Sequence, residues 1–103
     1  MSCYFIVKTF IDKKKGAGLY EEYIHLVKPI VEQYGGEYIV RSNRISSIER
    51  KRLPDRIVII KFRSRESLER CFRSKEYVEI MSKRAESVKS KTLIVEEDEY
   101  ENW

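Results

Sequence analysis

The run Pro54-Asp55-Arg56-Ile57-Val58-Ile59-Ile60-Lys61-Phe62 decides the fold of this chain. It begins as a turn, at Pro54 and Asp55, and continues as a strand that is apolar on both faces. A strand of this kind must be covered on both sides. The helices of one small domain cover one face of a sheet, so the other face predicts a further layer, most economically a second copy of the same chain.

Length and composition define the class of protein. The chain has 103 residues, which predicts a single domain with its own core. Hydrophobic residues make up 42% and charged residues 37%, which is typical of a globular chain and not of a disordered one. No apolar run approaches the roughly 20 residues that span a bilayer, and the first residues do not resemble a signal peptide. We therefore expect a soluble, cytoplasmic protein that does not contact a membrane.

The sequence offers little material for a metal or redox centre. His25 is the only histidine, and Cys3 and Cys71 have neither metal-ligand nor redox spacing. We expect both cysteines to be buried, reduced and dispensable. No metal and no cofactor are predicted.

The charge is distributed unevenly. The net charge is +4, yet the last eight residues contain five acids, so the body is basic and the tail is acidic. This predicts a domain over residues 1–95 and an acidic tail over residues 96–103. The tail is either a solvated, mobile end or a segment that lies over basic surface of its own or a partner subunit.

Hydrophobic spacing predicts the helices and strands. Pro29 should kink or break the first helix near Lys28, and Gly35 should end it in the left-handed conformation. Ser64 and Ser74 are predicted to cap two successive helical segments that together form the second helix. The predicted elements are a strand at Tyr4–Ile11, a helix at Leu19–Tyr34, a strand at Glu37–Arg41 with a short extension at Ile45–Glu49, the strand ending at Phe62, the two helical segments, and a strand at Thr92–Val95.

The order strand, helix, strand, strand, helix, strand predicts a fold. Crossover connections are right-handed in nearly all proteins, so both helices should lie on one face of a four-stranded antiparallel sheet. This is the ferredoxin-like α+β arrangement, βαββαβ, and it leaves one face of the sheet uncovered.

Three blocks of the sequence resemble a known family. They are residues 29–41, from Pro-Ile-Val-Glu-Gln-Tyr-Gly-Gly to Arg41, residues 54–62, and Ser-Lys-Glu-Tyr at residues 74–77 followed by Arg84. In this order and spacing they resemble the family called domain of unknown function 1330. The resemblance implies a member of the dimeric α/β-barrel superfamily, in which two ferredoxin-like sheets pack face to face. It also implies ligand-binding roles for Arg41, Glu49, Arg56, Ser74, Tyr77 and Arg84.

Each of these residues has a structural interpretation as well. Arg41, Glu49 and Arg56 could form an ion-pair network at the sheet edge. Ser74 suits a helix cap, and Tyr77 suits a packed aromatic. His25 and Tyr77 are the candidates for moving a proton, His25 because its ordinary pKa lies near neutrality.

Three functions are consistent with these residues. The leading hypothesis is a homodimer that binds a small anionic or carbonyl-containing metabolite between helix and sheet, on Arg41 and Arg56. The alternative is a cofactor-independent enzyme, resembling the monooxygenases and isomerases of the superfamily. The third, nucleic-acid binding, would use Arg41, Arg44, Arg50, Lys51, Arg52 and Arg56, and it ranks lowest because acids alternate with these bases and no stacking motif accompanies them. The sequence does not identify the ligand or a reaction.

Overall fold

The computed structural model describes residues 1–11, 17–49 and 52–98, with residues 17–19 and 84–87 described by their backbone alone. The elements are β1 (Cys3–Ile11), α1 (Ala17–Gln33), β2 (Glu37–Ser42), β3 (Arg56–Phe62), α2 (Arg65–Arg73), α3 (Lys75–Ser87) and β4 (Val88–Glu96). The strands form one antiparallel sheet in the order β2-β3-β1-β4. The predicted ferredoxin-like topology, with the second helix in two pieces, is confirmed.

The core lies between the helices and one face of the two central strands. Cys3, Phe5 and Val7 alternate along β1, and all three are buried. Phe5 lies opposite Ile60 of β3, and Cys3 lies opposite Phe62. Since side chains alternate across a strand, both strands direct their buried residues to the same side. Burial of a side chain such as that of Phe62 stabilises the fold by about 1.5–3 kcal/mol.

Both cysteines lie in this core, as the sequence predicted. Cys3 is 1% exposed and Cys71 is 0% exposed, and both are free thiols. Burial raises the pKa of the Cys71 thiol to about 11, and it raises the pKa of Cys3 as well. Because the thiolate is the reactive form, both cysteines should react slowly in the folded protein.

The opposite face of the sheet has an apolar centre, which is flanked by Lys8, Lys61, Lys89 and Lys91, and it carries no second layer among the described residues. Its centre is Ile6, which lies opposite Ile59 of β3 and Leu93 of β4. Leu93 is 56% exposed. We call this surface the open face and define it by Tyr4, Ile6, Phe10, Ile57, Ile59, Leu93 and Val95. The strands are thus apolar on both faces, as predicted.

Helix α1 differs from the prediction at Pro29. The helix runs from Ala17 to Gln33 without a break, so of the predicted kink or break near Lys28 the break is wrong, while the kink stays a prediction. Pro29 has no N–H to donate to the carbonyl of His25, but both residues are exposed, so water can hydrogen-bond that carbonyl. Val27 and Val31 are buried on either side of the proline, and their packing stabilises the continuous helix.

The end of α1 follows the prediction closely. Gly35 has a φ of +82° and is the only described residue with a positive φ. The Gly35 N–H donates to Glu32 O at 3.0 Å, and the Gly36 N–H donates to Val31 O at 2.8 Å. These hydrogen bonds satisfy two of the carbonyls that a helix leaves free at its end, and they turn the chain into β2.

Gly36→Ala should destabilise the protein by about 1–3 kcal/mol, because a methyl group there would overpack the core. A Cβ at Gly36 would lie 3.0 Å from the Phe62 ring and closer still to Val31. Chemical denaturation of the variant and the wild type measures this loss. An unchanged midpoint would show that the packing around Gly36 is looser than described.

Two serines cap the pieces of the second helix, as predicted. The Ser64 Oγ accepts a hydrogen bond from Ser67 N at 3.1 Å at the start of α2. The Ser74 Oγ accepts from Tyr77 N at 3.2 Å at the start of α3, and it donates to Cys71 O at 2.6 Å at the end of α2. The single hydroxyl of Ser74 therefore serves both helices.

Two predicted strand boundaries are wrong. Residues 45–49 form no strand, because β2 pairs with β3 and the pairing ends at Ser42 and Ile57, which leaves the extension no partner. The last strand begins at Val88, not at Thr92, since its first residues pair with the far end of β1, where Val88 lies opposite Ile11.

The start of the acidic tail lies against the body of the domain. Glu96 is the last residue of β4, and Glu97 N donates to Ser2 O at 2.9 Å. The Tyr4 hydroxyl donates to Glu97 Oε1 at 2.7 Å. These hydrogen bonds, from Tyr4 first and from Ser2 N second, lower the pKa of Glu97. The rest of the predicted tail, residues 99–103, lies outside the described residues.

Tyr4→Phe should lower stability at neutral pH and have no effect in acid. Because the pKa of Glu97 is lower in the folded state than its ordinary value of 4.5, the ionised carboxylate stabilises the fold above that pH. The contribution is lost as the pH falls through the folded pKa, so the stabilities of wild type and variant should converge in acid. Denaturation of both proteins at pH 7 and pH 3 measures the difference. A gap of equal size at both pH values would contradict the role of Glu97.

Candidate functional site

A cavity of about 410 Å³ lies between α1 and the helix-covered face of the sheet. Small-molecule sites in proteins generally have about 300–1,000 Å³, so the cavity is large enough for a metabolite. It is lined by Phe5, Val7, Thr9, Tyr20, Tyr23, Ile24, Val27, Val31, Tyr38, Arg41, Ser42, Asn43, Arg44, Arg56, Val58, Ile60 and Phe72.

The interior of the cavity is largely apolar because the buried face of α1 and the helix-covered face of the sheet both line it. Val27 and Val31 stand one turn apart on the buried stripe of α1. Phe5 and Ile60 project toward them from neighbouring positions of β1 and β3. The ring of Phe72, whose centroid is 4.2 Å from that of Phe5, closes the wall toward α2.

Arg56 is held rigidly at the beginning of β3. Asp55 N donates to Thr9 O at 2.8 Å, and Ile11 N donates to the Asp55 carboxylate at 2.6 Å, so the turn before the strand is fixed to β1. The Arg56 guanidinium lies over the Tyr20 ring, 5.3 Å from its centroid, which is a cation–π contact with α1. Its Nη2 is 3.2 Å from Glu21 Oε1, and 31% of its side chain is exposed.

Arg41 lies at the same end of the cavity, on β2 opposite Val58. Its guanidinium lies 5.1 Å from the centroid of the Tyr38 ring. Burial raises the pKa of Tyr38 to about 12, although the charge of Arg41 acts in the other direction. The Tyr38 hydroxyl is therefore protonated at neutral pH and can donate a hydrogen bond, but it cannot serve as a base.

Arg44 joins the two predicted arginines in lining the cavity. Its backbone N–H donates to Ser42 Oγ at 3.0 Å, which fixes the turn after β2. Arg41, Arg44 and Arg56 together make this end of the cavity cationic. No aspartate, glutamate, histidine, lysine or cysteine is among the described residues that line it.

Ser74 and Tyr77 are buried outside the cavity lining. The ring of Tyr77 packs against the far side of Phe72, with centroids 4.7 Å apart. The Tyr23 hydroxyl donates to the Tyr77 hydroxyl at 3.4 Å, so Tyr77 touches the site through Tyr23. The Ser74 hydroxyl is engaged by the two helix caps. Ser74 and Tyr77 would therefore influence a ligand in the cavity only indirectly.

The remaining predicted residues are placed elsewhere. Glu49 is exposed and does not line the cavity, and its backbone carbonyl accepts from the Ser47 hydroxyl. The ion pair that Arg56 makes is with Glu21. His25 is exposed on α1 and likewise does not line the cavity. The side chain of Arg84 lies outside the described part of the chain.

The sequence did not identify Tyr20, Glu21 and Tyr38 as site residues, and it named Arg44 only as a candidate for nucleic-acid binding. Tyr20 and Tyr38 follow the hydrophobic spacing that predicts the helix and the strand, so nothing in the sequence marks them as site residues. The helix begins earlier than predicted, at Ala17, so Glu21 stands in its second turn, beside Arg56. The one sequence feature that could have indicated Tyr38 is that it stands three residues before Arg41 in the same predicted strand.

Two features are absent from the described residues. No group of three or more histidine, cysteine, aspartate or glutamate side chains among them could hold a metal ion. No helix in the part of the chain that the structure covers is both long enough and apolar enough to cross a membrane.

A four-stranded antiparallel sheet with its helices on one face, and a cavity beneath those helices, define a ferredoxin-like α+β protein. The chain belongs to the family described as domain of unknown function (DUF1330), whose model matches residues 2–98. The match confirms the family resemblance of the sequence. None of the curated proteins is significantly similar to this chain in sequence.

Solved structures of similar proteins support the fold. A protein of unknown function from Rhodopseudomonas palustris, RPA0582, is similar with a TM-score of 0.79 and 16% identity, over 95% of this chain and 83% of that one. SnoaB, a cofactor-independent oxygenase from Streptomyces nogalater, is similar with a TM-score of 0.68 and 8% identity, over 99% and 98% of the two chains. A hypothetical protein from Arabidopsis thaliana has a TM-score of 0.67 and 13% identity, over 94% and 88%. At these identities the likeness is one of fold.

Proposed function

We propose that the protein is a homodimer that binds a small anionic or carbonyl-containing metabolite in the cavity between α1 and the sheet. The observation that carries the proposal is the arrangement of Arg41, Arg44 and Arg56 at one end of an apolar cavity. Arginine presents a planar fork of N–H donors that fits a carboxylate or an enolate oxygen pair. An anion there would find donors and an apolar space for the rest of the molecule.

The open face supports the homodimer. Large apolar patches exposed on a monomer commonly mark interaction sites, and Leu93 and Val95 are 56% and 45% exposed. A second copy packed face to face would cover them with identical side chains in a closed, two-fold arrangement. The cavity lies on the other side of the sheet, so each protomer would keep its own site. We place the protein in the cytoplasm, where two buried free thiols would stay reduced.

A cofactor-independent oxygenase is the second candidate. The fold similarity to SnoaB extends over 99% of this chain, and SnoaB is such an enzyme. The cavity would supply arginines to stabilise an anion and tyrosine hydroxyls to donate protons, but none of its described lining side chains is a base at neutral pH. His25 and Tyr77 remain the predicted proton carriers, although neither lines the cavity. Consumption of oxygen together with a bound ligand would distinguish the enzyme from the binding protein.

A thermal-shift screen of carboxylates and 2-oxo acids tests the proposed binding. A ligand at a hundred times its Kd should stabilise the folded protein by about 2.7 kcal/mol, whether or not it is turned over. Light scattering at micromolar concentration should give twice the chain mass of 12.4 kDa. If no small anion raises the melting temperature, the binding proposal fails, and a stable monomer would refute the homodimer.

A further inference from the structure

The cavity has walls of aromatic side chains on both sides. On α1 the rings of Tyr20 and Tyr23 are roughly parallel, with 6.3 Å between centroids and 23° between planes. On the other side the ring of Phe5, from β1, contacts the ring of Phe72, from α2, with centroids 4.2 Å apart. A flat ring would find offset and edge contacts on both walls.

The charges at the mouth of the cavity are not equivalent. Arg56 already has a carboxylate partner, since its Nη2 lies 3.2 Å from Glu21 Oε1. Arg41 makes no ion pair with any residue that the structure describes, and its guanidinium lies over the Tyr38 ring. An incoming acid would therefore be attracted more strongly to Arg41 than to Arg56. Arg56 would contribute the donors that Glu21 does not engage.

We infer that the ligand is an aromatic acid, with its ring between the α1 and sheet walls and its carboxylate on Arg41, and that Glu21 is a positioning residue for Arg56. This inference rests on the proposed function and narrows it to one ligand class. Glu21 holds the Arg56 guanidinium over Tyr20, but its negative charge also opposes the anion. Glu21→Gln keeps a carbonyl oxygen that accepts from Nη2 and removes the charge. The variant should therefore bind an aromatic acid more tightly.

Calorimetric titration with 2-naphthoate and two matched probes tests the ligand class. Decahydro-2-naphthoate has the same carbon skeleton and charge without planar rings, and 2-naphthamide has the rings without the charge. Each should bind at least about tenfold more weakly than 2-naphthoate. If decahydro-2-naphthoate binds as tightly as 2-naphthoate, the aromatic class is refuted while anion binding stands. If neither acid binds, the aromatic-acid inference is refuted, and the screen of small carboxylates and 2-oxo acids decides separately whether the proposed function stands.

The role of Glu21 has its own matched control. Glu22 is the next residue of α1, is exposed, and pairs with Lys83 at 3.4 Å, so Glu22→Gln removes the same charge from the same helix away from Arg56. Glu21→Gln should tighten 2-naphthoate binding about two- to threefold, a modest change because the pair is partly solvated. Glu22→Gln should leave the Kd unchanged. Equal effects of the two variants, or weaker binding by Glu21→Gln, would overturn the assignment.

Discussion

Ile6→Lys is expected to convert the protein from a dimer into a monomer at micromolar concentration. Ile6 lies at the centre of the open face, opposite Ile59 and Leu93. In the proposed dimer a lysine there would be buried without a partner, and an isolated buried charge costs several kcal/mol. A loss of about 3 kcal/mol already weakens the dimer more than a hundredfold. Size-exclusion chromatography with light scattering measures the change.

The controls for this variant come from the same chain. Lys8 is a natural, exposed lysine on the same face of β1, so the strand itself accepts the side chain. Val78→Lys adds the same charge at another apolar residue, 58% exposed on α3, and should leave the dimer intact. An Ile6→Lys protein that keeps twice the chain mass would contradict the proposed interface.

Arg41→Met and Arg56→Met are each expected to weaken binding of small carboxylates by about tenfold or more while the protein remains folded. Methionine keeps most of the apolar length of the side chain and removes the guanidinium. The Arg56–Glu21 ion pair is partly exposed, and such pairs contribute about 0–1 kcal/mol, so melting should change by only a few degrees. Loss of charge-assisted hydrogen bonds should weaken binding by about tenfold or more for each arginine.

Arg70→Met is the matched control. Arg70 also pairs with a glutamate, Glu66 at 3.9 Å, on the surface of α2, but it does not line the cavity. The Arg70→Met protein should bind carboxylates with the affinity of the wild type. A destabilised Arg56→Met protein that still responds fully to the ligand would assign Arg56 a structural role.

Most of the fold could be predicted from periodicity, and the errors have physical causes. Apolar residues on both faces of β1 and β3 indicated the two central strands and the open face. The break at Pro29 was predicted from local cost alone, whereas the buried neighbours Val27 and Val31 keep the helix continuous. The start of β4 was missed because Val88 continues the spacing of α3.

The candidate site was less predictable, because it depends on contacts between distant segments. Arg41 and Arg56 could be identified from the family resemblance, and Arg56 also from its place at the start of a central strand. Glu21 could not, because it meets Arg56 across 35 residues only once α1 crosses the sheet. The sequence allowed Ser74 to be either a ligand-binding residue or a helix cap. In the structure its hydroxyl makes the hydrogen bonds of a helix cap.

A titration of ¹⁵N-labelled protein with 2-naphthoate, followed by amide chemical shifts, tests most directly whether the cavity is the binding site. The account predicts saturable shifts that share one Kd at residues 38–44, at residues 56–58 and along residues 20–27, with little change at α2 residues that face solvent. Shifts that concentrate on the open face, around residues 93–95, or that scatter over the surface without saturating, would contradict it.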